Sequence, residues 1–285
     1  MSMSSPVSGT DVTTISSSGD YPTSAHVDIE KWREGRSTSV RDVVAEEVPI
    51  ALEYNGISHV VMMASPADLE DFALGFSLTE GILASPGELF GCEIVAAADG
   101  IQVQMEIASQ RFMALKEKRR NLTGRTGCGL CGAETLAQAI RKPPPVTSNA
   151  RFTVAVLHAA IEQMQQQQQL QQATGATHAA AWVQKNGEVL LVREDVGRHN
   201  ALDKLIGALA ADKEDFSSGA VLITSRASYE MVQKAATMGI GLVAAISAPT
   251  ALAIRLAQET NVTLLGFMRQ TSHAVYANGH RLLIE

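Results

Sequence analysis

Cysteine is scarce in this chain: 285 residues carry three, at positions 92, 128 and 131. An odd, sparse count does not describe a disulfide framework. No second Cys-x-x-Cys pair exists to complete a four-cysteine zinc site. Positive charge is also in short supply. Twenty-three basic residues against 30 acidic ones leave a net charge of −7, which argues against a nucleic-acid binder. Long apolar runs are missing too. No window of about 18 consecutive apolar residues is present, so no membrane-spanning helix and no membrane partner are expected. The opening stretch, MSMSSPVSGTDVTTISSSGD, has neither a basic start nor an apolar run and does not read as a signal peptide. Residues 1–25 are expected to be a disordered Ser/Thr-rich tail, and the protein to be cytoplasmic.

Apolar residues make up 46% of the chain, enough for one large core or two modest ones. Residues 26–145 read as an N-terminal α+β domain ending in a loop that carries Cys128 and Cys131. It has strand-like stretches at 47–53 and 60–64. In SPADLEDFALGFSLTEGIL, Ser65 can cap a helix, Pro66 suits its first turn and Asp68 completes a capping box. Leu69, Phe72, Ala73 and Phe76 give that helix one apolar face. Two more strands, 94–97 and 101–107, flank a turn at Asp99-Gly100. Cys92 reads as a buried, inert thiol. Pro143, Pro144 and Pro145 cannot continue a helix and mark the domain boundary.

Residues 146–285 alternate strands and helices. A helix over 153–172 ends in QMQQQQQLQQ, read as a solvated tail. AAAWVQ and EVLLV form a hairpin around Lys185-Asn186-Gly187. The apolar runs 221–224, 242–247 and 262–267 suit the inside of a mostly parallel sheet. Amphipathic helices at 200–211, 228–238 and 250–259 lie between them. The expected fold is three-layered α/β, with one antiparallel hairpin in an otherwise parallel sheet.

Polar residues collect where strands end and helices begin: REDVGRHNALDK, SRASYE and APTALA. If the strands are parallel, these junctions share one sheet edge, the place where open α/β sheets bind ligands. Helix N-termini there offer N–H groups to anions. Arg193, Arg198, His199, Ser225 and Arg226 add charge-assisted donors, and Gly197 lets backbone approach closely. Ser225, Ser228 and Asp195 could each merely cap a helix. Capping has no use for guanidinium groups, so the edge reads as a pocket for a phosphate-bearing ligand. His178, beside an apolar strand, reads as structural.

The stretch RTGCGLCGAE admits three chemistries. Zinc lacks ligands, and the His-x-Glu of zinc deaminases is absent, since Ala180 lies two after His178. A thioredoxin-like pair needs a strand just before it, whereas KEKRRNLTGRTG reads as a basic, glycine-rich loop. Sulfur carriage needs an exposed thiolate on a mobile support. Gly127, Gly129 and Gly132 supply mobility, and Lys116, Lys118, Arg119, Arg120 and Arg125 favour thiolate over thiol. Cys131 could release a sulfur held by Cys128.

Seven stretches in order, FALGFSLTEGI, RTGCGLCGAE, THAAAW, VREDVGRHNALDKLIG, LITSRASYEMVQKAA, ISAPTALAIRLA and LLGFMR, carry a likeness. From about residue 30 onward the chain resembles the formate dehydrogenase accessory sulfurtransferases, the FdhD family. The resemblance implies a cytidine-deaminase-like core without zinc chemistry and with no structural metal. It implies that a cysteine desulfurase supplies sulfur, carried as a persulfide on Cys128. The sulfur goes to the molybdenum cofactor, bis-molybdopterin guanine dinucleotide, before insertion into the catalytic subunit of formate dehydrogenase. It assigns a cofactor-binding segment to Phe267, Met268, Arg269, Gln270, Thr271 and Ser272, and it implies a homodimer. The alternative is a non-catalytic cofactor chaperone whose cysteine pair is redox-active or binds zinc.

Overall fold

The computed structural model describes residues 21–123 and 141–283, with backbone only for 118–123. Cys128 and Cys131, with Arg125, Gly127, Gly129 and Gly132, lie outside the described residues. So do residues 1–20. Strand β1 (Ser24–Arg33) pairs along its whole length with β2 (Arg36–Ala45) as a hairpin. Ser24 and Ala25 thus belong to this hairpin rather than to a tail. In β1, half-buried Ala25, Val27 and Ile29 alternate with exposed His26, Asp28 and Glu30, whereas β2 is largely exposed; neither strand was expected from the sequence.

Four strands form the smaller sheet: β3 (Val48–Tyr54), β4 (Ile57–Ala64), β5 (Leu89–Ala97) and β6 (Gly100–Ile107), in the order β4-β3-β6-β5. Ile50, Leu52 and Tyr54 of β3 and Val103 and Met105 of β6 point to one face, as the period of two requires. Phe72, Ala73 and Phe76 of helix α1 (Leu69–Thr79) cover that face. The expected capping box does not form. Asp68 stands at the N-cap in the left-handed region without a side-chain hydrogen bond to the helix. Ser65 is engaged elsewhere: its N–H donates to Asp195, and its Oγ accepts from Val196 N–H. Helix α2 (Ser109–Thr123) takes in the stretch 116–123 that reads as loop. Lys, Glu and Arg are good helix formers, and Leu115 is buried in the same core. Lys116 sits over the Phe112 ring at 5.0 Å.

After the short strand β7 (Phe152–Thr153), the chain forms α3 (Val154–Gln167) and α4 (Gln169–Thr174). One continuous helix to 172 was expected. The break at buried Gln168 has a cause: the Glu194 carboxylate accepts the N–H groups of Leu170 and Gln171 and starts a new helix. Nor is the glutamine run simply solvated. The Gln163 amide bonds both Gly187 O and Val189 N–H of the hairpin.

The larger sheet contains β8 (His178–Val183), β9 (Val189–Asp195), β10 (Ala220–Ile223), β11 (Leu242–Ala245), β12 (Thr263–Gly266) and β13 (Ala274–Ala277). Its order is β13-β12-β11-β10-β8-β9. The hairpin and the parallel core β10-β11-β12 are as expected. The antiparallel edge strand β13 is an addition. Val221, Ile223, Val243 and Leu264 face helices α5 (Arg198–Ala211), α6 (Tyr229–Thr237) and α7 (Ala251–Glu259). Leu222, Leu242, Ala244 and Leu265 face α3. That alternation gives three layers. The last strand, β14 (Leu282–Leu283), pairs with β7. No described helix is long and apolar enough to cross a membrane.

Helix α1 also packs on α5, joining the two sheets. Gly75 and Gly207 make the approach possible: a Cβ on either would lie 1.8 Å from a backbone oxygen of the other helix.

Candidate functional site

Strand β8 runs antiparallel to both β9 and β10, and β10, β11 and β12 are parallel. The C-terminal ends of β9, β10, β11 and β12 therefore lie on one edge, together with the start of β8. A cleft of about 590 Å³ opens there, lined by His178, Thr224, Ile246, Gln168 and Gln171 among others. The glutamine break thus forms a wall of this cleft, which the sequence did not signal.

Arg193, Arg198 and Arg226 have different fates on this edge. Arg193 belongs to β9 and turns toward α1, pairing with Asp71 at 2.8 Å and Asp68 at 3.5 Å. Burial raises the Asp71 carboxyl, and Arg193 opposes that rise. Arg193 anchors α1 and brings no free charge to the cleft. Arg198 opens α5; its Nε is buried and has no hydrogen-bond partner among the described residues. Arg226 is exposed. The neighbouring Ser225 is buried and donates to the Arg226 carbonyl. Ser228 takes the N-cap position of α6 without capping through its side chain.

His199 Nε2 lies 2.7 Å from Glu230 Oε2 and 3.4 Å from Ser228 Oγ. The bond to His199 holds the Glu230 carboxyl below its usual range. His178 is depressed by burial first, then by Arg198 and His199, so it is neutral at neutral pH. Gly197 is the N-cap of α5, and a Cβ there would meet the Asn200 amide at 2.6 Å.

The segment after β12 is mixed. Phe267 is 46% exposed and sits at φ 51, a left-handed conformation that is costly for a bulky residue and clusters at functional sites. Met268 is buried in the core. The Arg269 guanidinium donates to the carbonyls of Ile246 and Met268. Gln270 donates to Glu162 at 2.7 Å. Thr271 and Ser272 are exposed. The Phe267 ring lies tilted against Tyr276 with centroids 6.4 Å apart, and Arg198 keeps a buried, unpartnered Nε at the N-terminus of α5.

Beneath the edge lies a polar network that sequence reasoning missed. Asp195 and Lys204 are fully buried and 2.7 Å apart. Asp195 also accepts from Ser65 N–H, Gly197 N–H and Asn200 Nδ2, while Lys204 donates to the Ser65 carbonyl. Lys234 pairs with Asp203 at 2.9 Å and with Glu80 at 3.2 Å. Burial raises the Asp203 carboxyl, and Lys234 opposes that rise. A signal was there to read: Asp203 and Lys204 stand adjacent inside the apolar run ALDKLIGALA. Asp195 is therefore no simple cap.

Arg141 and Lys142 are the first described residues after the cysteine segment. Arg141 pairs with Glu80 at 2.6 Å and donates to its carbonyl. The Tyr229 hydroxyl donates to the Arg141 carbonyl, and Lys142 pairs with Glu259 at 2.8 Å. Tyr229 belongs to the SRASYE junction itself. Arg141 thus lies beside the start of α6. Cys92 is half-buried; burial, then Glu70, push its thiol up to about 11, so it is almost wholly protonated at neutral pH.

Residues 45–283 match the model of the FdhD/NarQ family. A "Sulfur carrier protein FdhD" of Cupriavidus necator is 60% identical over 261 residues, covering 92% of this chain and 91% of that protein. A protein of the same description from Bordetella petrii is 60% identical, covering 85% of this chain and 87% of its own length. A crystal structure from Desulfotalea psychrophila, described as a formate dehydrogenase accessory protein, superposes with a TM-score of 0.72. It covers 92% of this chain and 100% of its own at 24% identity, which speaks for the fold alone.

Proposed function

The chain belongs to the FdhD/NarQ family, and from that premise we propose that it carries sulfur as a persulfide on Cys128 for the maturation of formate dehydrogenase. In this reading the Cys128 thiolate attacks the persulfide of a cysteine desulfurase. The donor's S–S bond breaks, a new one forms on Cys128, and the donor leaves as thiolate. The Cys131 thiolate then attacks Sγ of Cys128. A Cys128–Cys131 disulfide forms and hydrosulfide departs, its two electrons supplied by the cysteine pair. An external dithiol must reduce that disulfide before the next cycle.

The recipient of the sulfur is bis-molybdopterin guanine dinucleotide, bound on the edge formed by 196–199, 224–228 and 267–272. It then passes to the formate dehydrogenase catalytic subunit. The observation that supports this most directly is the position of Arg141, the first described residue after the cysteine segment, bonded to Glu80 and to Tyr229 at the start of α6. Arg198's unpartnered Nε and the N-terminus of α5 suit the diphosphate. We further read the larger sheet and its helices as a cytidine-deaminase-like domain, the protein as a cytoplasmic homodimer, and 143–145 as the domain boundary.

The test is intact mass after incubation with a cysteine desulfurase and cysteine. Wild type is expected to gain one sulfur atom and Cys128→Ser none, while Cys131→Ser loads but fails to release hydrosulfide. Equal loading of Cys128→Ser and wild type overturns the assignment, because Cys92 is too poor a thiolate to substitute.

A further inference from the structure

One face of α3 holds the segment after β12 at two points. His158 Nε2 lies 3.2 Å from His273 Nδ1, with ring centroids 5.2 Å apart at an interplanar angle of 66°. One turn further along α3, Glu162 Oε1 accepts from the Gln270 amide at 2.7 Å. Residues four apart share a helix face, so these contacts form two adjacent rungs. The other end of the segment is tied down by the Arg269 guanidinium on the carbonyls of Ile246 and Met268. Exposed Thr271 and Ser272 lie between these ties. The same helix leads on to Gln165 and Gln168, which line the cleft.

A hydrogen bond between two imidazoles needs one N–H and one bare nitrogen. It forms with both rings neutral or with one extra proton, and breaks when both are cationic. The charged groups on neighbouring elements are engaged elsewhere. Arg193 pairs with Asp71, and Glu194 caps α4. Arg281 donates to the carbonyls of Ser148 and Asn261, and Arg151 acts on His280. Glu162 is held by Gln270.

We propose that His158 and His273 are positioning residues that hold segment 267–273 in its ligand-binding form, and that a second proton on the pair releases it. This deepens the reading of the edge given above and rests on it. Burial, then His273, depress His158 below the usual histidine value. The unfolded chain therefore binds the proton first. The stability tied to neutral His158 is therefore present above about pH 6.5 and falls away as pH drops through the lower folded value.

The test is hydrogen–deuterium exchange of peptides spanning 267–273 in the full chain, at about pH 7.5 and about pH 5.5, corrected for intrinsic rates. Wild type is expected to lose about tenfold in protection at the lower pH. His158→Gln keeps a neutral partner for His273 in either protonation state, so its protection should hold at both pH values. His158→Ala should be unprotected at both. Equal wild-type protection at both pH values overturns the proposal, as does wild-type protection in His158→Ala. Guanosine diphosphate, the nucleotide part of the expected ligand, provides the second arm. Wild-type affinity should fall about tenfold between the two pH values and that of His158→Gln by less than about twofold, which controls for titration of the phosphate. If the nucleotide fails to bind at either pH while exchange behaves as expected, the ligand reading of the edge falls and the histidine latch stands.

Discussion

Gly75 and Gly207 face each other across the crossing of α1 and α5. A Cβ on Gly75 would stand 1.8 Å from the Asp203 carbonyl oxygen, and one on Gly207 would stand 1.8 Å from that of Asp71. The obstacle is backbone in both cases, so no side chain can swing aside. Gly75→Ala or Gly207→Ala should destabilise the protein by about 3 kcal/mol or more, read from urea unfolding. Gly87→Ala, with nothing within 4 Å, is the control and should change stability by less than about 0.5 kcal/mol.

Lys204 is the only cation paired with Asp195 among the described residues, and both are fully buried. Lys204→Met leaves an uncompensated carboxylate in the interior and should cost about 3–5 kcal/mol in urea unfolding. Adding Asp195→Asn removes that charge and keeps the Oδ1 acceptor for Gly197 N–H and Asn200 Nδ2, at the cost of the Oδ2 that accepts from Ser65 N–H. The double variant should therefore be more stable than Lys204→Met alone. If it is less stable, buried charge is not the cause.

Burial acts to raise the Glu80 carboxyl, but Lys234 and Arg141 outweigh it and hold the group below its usual value. A depressed carboxylate contributes stability above its unfolded value. That contribution disappears as pH falls through the folded one. Stability measured from about pH 5 down to about pH 3 should fall less steeply in Glu80→Gln than in wild type. Identical slopes would remove Glu80 from the acid response.

Arg198 carries a buried Nε without a partner among the described residues. If Arg198 serves the proposed ligand, its loss should be felt in binding rather than in the fold. Arg198→Gln should weaken guanosine diphosphate binding about tenfold and move the melting temperature by less than about 2 °C. A large drop in melting temperature with unchanged binding would make Arg198 structural.

Much of the larger sheet was legible because its signals are local. AAAWVQ and EVLLV around Asn186-Gly187, and the apolar runs 221–224, 242–247 and 262–267, are what buried strands must look like, and strands β8 to β12 fall on them. The hairpin β1–β2 was missed: β1 carries a short alternation at Ala25, Val27 and Ile29, but its partner β2 is largely exposed and gives no matching signal. The break at Gln168 was not either: the carboxylate that causes it comes from Glu194, on another element.

The chain's own order of residues was sufficient for the family, the α/β alternation and the collection of polar residues at one sheet edge. These depend on spacing along the chain. Only the folded structure sorted those polar residues by task. Arg193, Asp195, Asp203 and Lys204 come from the same motif as Arg198 and His199, yet they bind α1, Ser65 and Lys234 inside the protein. The reason is physical: Ser65 and Asp195 are 130 residues apart. Whether a charge is buried against a partner or left for a ligand is decided by which distant segment arrives beside it.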